Sequence, residues 1–246
     1  MENMLQGKNA LITGGSRGIG KGIAVKFAGQ GAKILLVGRK LSGLEPVAEE
    51  IRAQGGQAAC FQADVSQADQ VEKLAKEVLE AHGQVDILVN NAGISREMPF
   101  LEMPIETFDE IMTTNMRSVM LVTRAFLPGM LERKAGNIIN IGSGAALRGL
   151  PGSAAYSASK AAVVCFTQAL GDEVRKLEQN VRINAICPGP VDTELFQKSE
   201  RREFILQAGG DVFSTDTMAD AALFLASDMS KGMNSQVLVL RGFNRW

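Results

Sequence analysis

Lys8-Asn9-Ala10-Leu11-Ile12-Thr13-Gly14-Gly15-Ser16-Arg17-Gly18-Ile19-Gly20 is the stretch on which the fold turns. Its first half is a short apolar run of the kind that forms a buried strand. Its second half leads into a segment with Ile23, Ala24 and Phe27 at helical spacing. Strand, glycine-rich turn and helix in that order form a phosphate site. The turn needs backbone without Cβ so that amides can approach a pyrophosphate, and the helix N-terminus adds partial positive charge. A glycine pattern alone is common; its place as the first strand-to-helix turn of a βαβ unit is the context the reading requires. The bland alternative is a tight turn that holds no ligand.

Outward from this turn, strand and helix patterns alternate with no linker or low-complexity break. The second strand is Lys33–Gly38, followed by a helix from about Leu41 to Gln54 and a strand over Ala58–Ala63. A helix from about Gln67 to His82 carries Val71, Leu74, Ala75, Val78 and Leu79 on one face. Val85–Asn90 is the fourth strand and Asn137–Ile141 the fifth. Between them the pattern predicts one long helix through Asn115 and Met120 towards Met130, bent or restarted by Pro128. A helix bearing Tyr156 extends to about Leu177, and Val181–Cys187 and Gln236–Leu240 are the last strands. Continuous apolar strands joined by helical crossovers predict an α/β fold: a single Rossmann-type, doubly wound parallel sheet of about seven strands with helices on both faces. Ligands bind such a sheet at the carboxyl ends of its strands, where Gly14, Asn91, Ser143 and Pro188 fall.

The dinucleotide is read from the end of the second strand. An acidic residue there binds the ribose 2′-hydroxyl of NAD, but this chain offers Arg39 and Lys40. With Ser16 and Arg17 in the glycine loop, the site is arranged for a 2′-phosphate, so NADP(H) is preferred over NAD(H). A solvated loop beginning at Arg39 and Lys40 is the alternative.

The chemistry is suggested by Tyr156-Ser157-Ala158-Ser159-Lys160, thirteen residues after Ser143. A spacing of four puts phenol and ammonium on one helix face. Presenting a phenolate near neutral pH means lowering an ordinary pKa of about 10 by roughly three units, about 4 kcal/mol. One cation at about 6 Å, with an effective dielectric near 20, supplies on the order of 3 kcal/mol. Such a pair suits proton exchange with an alcohol or carbonyl oxygen. A half-buried ring beside a solvated amine is the ordinary alternative.

Together these elements resemble the classical short-chain dehydrogenase/reductase family over nearly the whole chain. Thr13-Gly14-x-x-x-Gly18-Ile19-Gly20 matches the family's cofactor loop, Asn90-Asn91-Ala92-Gly93 its motif after the fourth strand, and Tyr156-x-x-x-Lys160 its active-site motif. Pro188-Gly189-Pro190-Val191-Asp192-Thr193 matches the segment closing over the nicotinamide. The resemblance implies a catalytic set: Asn115 holding a water in a proton relay, Ser143 bonding the substrate oxygen, Tyr156 as acid/base, and Lys160 lowering the tyrosine pKa and binding the nicotinamide ribose. It implies cofactor contacts at Gly14, Ser16, Arg17, Gly18, Ile19, Gly20, Arg39, Asp64, Val65, Asn91, Ala92, Gly93, Pro188, Gly189, Val191 and Thr193 as well as Tyr156 and Lys160. Asp64 and Val65 would flank the adenine and Thr193 the nicotinamide amide.

The composition sets limits. A chain of 246 residues suits one domain with a substantial core, and a net charge of -1 without a basic run argues against nucleic acid. Neither a leader pattern nor an apolar stretch of membrane-spanning length is present, so a soluble cytoplasmic protein is expected. Cys60, Cys165 and Cys187 are isolated in apolar segments, with no metal spacing, and read as buried reduced thiols. The only histidine, His82, is the one around which a Ser-His-Asp hydrolase would have to be built.

Within the family the closest general resemblance is to 3-oxoacyl-acyl-carrier-protein reductases and related secondary alcohol dehydrogenases. A CoA or carrier-protein thioester and a cyclic, steroid or xenobiotic ketone therefore both stay open as substrate. Arg133 and Lys134 are candidates to meet an acidic carrier protein. The covering segment from Glu194 to Phe213 mixes Leu195, Phe196, Phe204 and Ile205 with Lys198, Arg201 and Arg202. Leu240-Arg241-Gly242-Phe243-Asn244-Arg245-Trp246 departs from the family's Val-Asp-Gly-Gly ending. The family implies a homotetramer, in which Trp246 is expected to be shielded. A non-enzymatic NADP-binding redox sensor is a rival, but it should lack one of Ser143, Tyr156 or Lys160.

Overall fold

The strands divide their side chains by parity, which is what makes one sheet serve two cores. Leu11, Leu35, Leu88, Ile138 and Ile183 join one buried cluster; the next residues Ile12, Leu36, Val89 and Ile139, and Ile186 three residues after Ile183, join the other. In the computed structural model, which describes residues 3–177, 179–207 and 210–241, the order begins with β1 (Asn9–Thr13), α1 (Gly18–Ala28), β2 (Lys33–Gly38), α2 (Leu41–Ala53), β3 (Gln57–Gln62) and α3 (Ala68–His82). It continues through β4 (Ile87–Asn90), α4 (Ile105–Met112), a π-helical turn over Thr113–Arg117, α5 (Ser118–Glu132), β5 (Ala135–Ile141) and α6 (Ala154–Lys176). The remaining elements are β6 (Asn180–Pro188), α7 (Glu194–Gln197), α8 (Arg202–Gln207), α9 (Thr215–Ala226) and β7 (Val237–Leu240).

All seven strands pair in parallel in the order β3-β2-β1-β4-β5-β6-β7. The chain winds outward in one direction from β1 to β3, then returns and winds the other way from β4. The crevice at the switch point therefore opens between the carboxyl ends of β1 and β4, where Gly14 and Asn91 follow their strands. One face is covered by α1, α2 and α9, contributing Ile23, Phe27, Leu44, Val47 and Ala222. The other face is covered by α3, α5 and α6, through Val71, Leu74, Phe126 and Val174.

Two expectations change here. The predicted single helix through Asn115 is α4, a π turn and α5, and α5 runs through Pro128 without restarting. Cys165 is exposed on α6 rather than buried, while Cys60 is half-buried and Cys187 fully buried, all three as free thiols. The sequence reading passed over α9, although Ser214 caps it by accepting from the Thr217 N–H and Asp216 lies in its first turn. Its close seat against α1 depends on Gly22, where a Cβ would stand 3.1 Å from the Thr215 Cβ. Phe243 and Trp246 lie outside the described residues.

Candidate active site

Thr13 ends β1 with its hydroxyl turned inward, and that hydroxyl accepts the backbone N–H groups of Asn91 and Ala92 at 3.0 and 3.1 Å. Asn91 returns two bonds from its side-chain nitrogen to the carbonyls of Thr13 and Gly14. The loops after β1 and β4 are thus tied across the switch point. Gly14 has φ +66 and a Cβ there would be 3.0 Å from the Ala92 Cα; at Gly20 it would be 2.4 Å from the Gly14 carbonyl oxygen. Only glycine fits this cradle, and α1 has no side-chain N-cap and no acid in its first turn. The first-turn amides are therefore left facing an anion site, so the residues fit a dinucleotide pyrophosphate.

The other sequence-predicted cofactor residues surround the cradle. Ser16 packs towards Gly43 of α2, where a Cβ would be 3.4 Å from the serine Cβ, and Arg39 is exposed at the end of β2. Arg17 turns the other way, into an ion pair with Glu194 at the start of α7. Asp64 accepts from the backbone and hydroxyl of Ser66 at 3.0 and 2.7 Å, beside the buried Val65. On the opposite wall, Thr193 caps α7 and lies against Gly18, whose added Cβ would be 3.2 Å from the threonine methyl. Gly189 binds the Leu240 carbonyl through its N–H, which holds the segment Pro188–Val191 beside the end of β7.

The candidate catalytic side chains come from three elements. Asn115 sits in the π turn, fully buried, a departure from regular helix that recurs at functional sites. Its side chain receives the Ile94 N–H at 2.8 Å and donates to the Ile94 carbonyl and to the Ser159 hydroxyl, each at 2.9 Å. Ser143 follows β5 with an extended backbone; its hydroxyl accepts the Ala145 N–H at 3.1 Å and acts on the Tyr156 phenol, pulling its pKa down. Tyr156 and Lys160 are one turn apart on α6, with Lys160 Nζ 6.0 Å from the ring centroid. Lys160 is 5% exposed and donates to the Ile141 carbonyl at 2.8 Å. Gly93 makes room for both amide and amine: a Cβ there would be 3.2 Å from Asn115 Oδ1 and 3.4 Å from Lys160 Nζ.

The electrostatics correct the expected direction of the tyrosine shift. Burial raises the Tyr156 hydroxyl above its ordinary value, the Ser143 hydrogen bond works against it, and Cys187 and Glu97 add to the rise. Burial also pulls Lys160 down to about 8. Desolvation disfavours both charged forms, and at 6.0 Å from the ring the ammonium does not reverse that on the phenol. Cys187 is buried next to Gly142, where an added Cβ would be 2.7 Å from its sulfur, and burial is the main cause that raises its thiol pKa.

Some candidates are placed away from the site. Arg133 donates to the Val85 carbonyl and, with Lys134, precedes β5, at the opposite end of that strand from Ser143. The carrier-protein role considered for them does not fit this position. His82 ends α3, where its carbonyl accepts from Asn9 at the start of β1. It is therefore remote from Ser143, against a hydrolase triad. Thr13, Ser159 and Glu97 were missed as site residues. Thr13 and Ser159 were inside quoted motifs, whereas Glu97 carried no signal.

This sheet and this cleft define a Rossmann-type dehydrogenase/reductase, with a phosphate cradle beside an acid/base cluster. The model of the short chain dehydrogenase family matches residues 8–203, and the chain belongs to that family. It is accordingly an oxidoreductase acting on CH–OH and C=O groups. It is 37% identical over 98% of its length to 99% of a 3-oxoacyl-acyl-carrier-protein reductase of Chlamydia trachomatis. It is 33% identical to the enzyme of that description from Thermotoga maritima, with 97% of this chain and 98% of the relative covered. A short-chain type dehydrogenase/reductase from Mycobacterium marinum superposes with TM-score 0.91 at 34% identity, over 97% of this chain and 95% of that one. A Beutenbergia cavernae structure, provisionally assigned as an NAD(P)-dependent gluconate 5-dehydrogenase with bound NADP at low occupancy, gives 0.90 at 34% identity, covering 97% and 96%.

Proposed function

We propose that the chain is an NADP(H)-dependent reductase of 3-oxoacyl thioesters, working reversibly between ketone and secondary alcohol. The observation that carries this reading is the convergence of Ser143, Tyr156 and Lys160 at the strand ends beside the glycine cradle. The dinucleotide would be held by Gly14, Gly18, Ile19 and Gly20 at its phosphates, by Ser16, Arg17 and Arg39 at a 2′-phosphate, by Asp64 and Val65 at adenine, and by Asn91, Lys160, Val191 and Thr193 towards the nicotinamide. When bound, it supplies the hydride. Tyr156, kept protonated by burial, donates its proton to the carbonyl oxygen as charge develops there, while the Ser143 hydroxyl holds that oxygen. The Lys160 ammonium stabilises the tyrosinate so formed, and Asn115 fixes Ile94 and Ser159 around the route by which a proton returns.

Similarity to 3-oxoacyl reductases over nearly the whole chain supports the thioester as substrate, and the bound NADP of a structural neighbour supports the cofactor choice. The position of Arg133 and Lys134 favours a second reading, a small cyclic ketone in place of a carrier-bound chain. A levodione reductase superposes with TM-score 0.90 at 30% identity, covering 96% of this chain. The reading includes a single domain, a homotetramer built through α5, α6 and β7, and a cytoplasmic location. No helix among the described residues is long and apolar enough to cross a membrane.

The test is NADPH consumption at 340 nm with acetoacetyl-CoA, cyclic and aromatic ketones and a steroid ketone, with NADH in parallel. Turnover of the thioester with NADPH supports the primary reading. Activity confined to a cyclic ketone moves the substrate and leaves the mechanism, and Tyr156→Phe retaining most turnover overturns the mechanism.

A further inference from the structure

The chain's charges around the cradle are unevenly committed. Arg17, the residue immediately before α1, is the cation of the glycine loop, and its guanidinium is paired with Glu194 across the cleft, 177 residues on. Glu194 is the first residue of α7, set there by Thr193, whose methyl touches the loop at Gly18. Its carboxylate is also bonded to Lys198, four residues on at the C-terminal cap of α7. A carboxylate thus stands at the cofactor cleft with two cationic partners, one on the cradle and one at the end of its own helix. Hydrogen bonding to Lys198 and the charge of Arg17 hold its pKa below the ordinary carboxylate range, so it is ionised throughout the neutral range.

We propose that Glu194 is a specificity-determining residue that competes with the 2′-phosphate of the dinucleotide for Arg17, with Lys198 as the partner that retains Glu194 once Arg17 is taken. This rests on the NADP(H) reading above and deepens it. A dianionic phosphate outcompetes a single carboxylate for one guanidinium, whereas a 2′-hydroxyl does not. The 2′-phosphorylated cofactor is then the one that releases the start of α7 from the glycine loop. An NAD(H)-bound chain keeps the Arg17–Glu194 tie, so the tie penalises only the phosphorylated form. Lys198 makes the exchange cheap, because Glu194 is not left without a counter-charge.

The test is equilibrium binding of NADPH and NADH, by fluorescence or calorimetry, to five proteins: wild type, Glu194→Gln, Lys198→Met, Arg17→Met and Arg17→Met/Glu194→Gln. Glu194→Gln is expected to tighten NADPH about three- to five-fold, the scale of an exposed ion pair, and to leave NADH within about two-fold. Lys198→Met should act in the opposite direction, weakening NADPH, because Glu194 then relies on Arg17 alone. In the Arg17→Met background Glu194→Gln should have no further effect. Equal tightening of both nucleotides, or none, overturns the proposal while leaving NADP(H) binding intact. A wild-type protein that binds neither nucleotide removes the cofactor reading and this inference with it.

Discussion

Tyr156 and Lys160 are both pushed towards neutrality by burial, and this sets the pH window in which the pair can work. On the mechanism proposed above, the free protein needs Tyr156 protonated to give up a proton and Lys160 charged to stabilise what remains. Tyr156 is raised, so Lys160, at about 8, is the group that titrates first. For carbonyl reduction kcat/KM should be level below about pH 8 and fall above it, and a profile still rising at pH 9.5 would contradict this. The same depression links to stability. The folded lysine gives up its proton near pH 8 and the unfolded one near its ordinary value of 10.5, so between these values the unfolded state binds more protons and stability rises with pH. The stability of wild type relative to Lys160→Met should therefore improve between pH 8 and 10.5, by on the order of 3 kcal/mol at most, in denaturant titrations at the two ends. Gly93→Ala tests the room these groups need. Its backbone has no positive φ to relieve, but its Cβ falls 3.2 Å from Asn115 Oδ1 and 3.4 Å from Lys160 Nζ. Turnover should drop about ten-fold or more through this displacement, with the unfolding midpoint little changed.

Between β4 and β5 a line of buried amides does what apolar pairs do elsewhere in the sheet. Asn90 donates to Thr123 of α5 and to Asn140 of β5, and Asn140 donates on to Thr167 of α6. This chain positions the two strands that carry Asn91 and Ser143 against the two helices behind them. Asn140→Leu leaves a buried Asn90 donor with one partner fewer and Thr167 without its donor, which should cost about 2–4 kcal/mol of stability by chemical denaturation. Little of that network was legible beforehand, because an asparagine in an apolar strand looks like any other polar interruption until its partners 27 and 50 residues away are in place. The strands themselves were readable because parallel pairing buries both faces and leaves near-continuous apolar runs. The glycine loop and the Tyr156–Lys160 spacing were readable because local backbone chemistry restricts their residue types. The π turn was not, since Thr113–Arg117 has no composition distinct from ordinary helix. Arg17–Glu194 was not, since the two residues meet only through the folded topology.

Both halves of the sheet meet at the cradle, and this makes the whole chain responsive to what fills it. Residues of the loops after β1 and β4 share Thr13 and Asn91 as bonding partners, while Thr193 reaches in from the segment after β6. A dinucleotide bound there contacts elements from both windings of the sheet, so the folded state binds it and the unfolded chain does not. At a concentration one hundred times its Kd, such a ligand stabilises the fold by about 2.7 kcal/mol. For a chain of 246 residues the unfolding entropy scales to roughly 0.5 kcal/mol/K, so the melting temperature should rise by about 5 °C. On the proposed NADP(H) reading the rise should appear with NADPH at lower concentrations than with NADH, since Arg39 and Arg17 would supply counter-charges to a 2′-phosphate and Ser16 a hydrogen bond, and the residues that end β2 and follow it, Gly38, Arg39 and Lys40, offer no carboxylate. The experiment is a thermal melt over a titration of each nucleotide at fixed protein concentration, which holds any subunit association constant. Equal responses to the two nucleotides would show that the cations near β2 do not read the ribose, and the cofactor preference would have to be assigned to NAD(H) and NADP(H) alike.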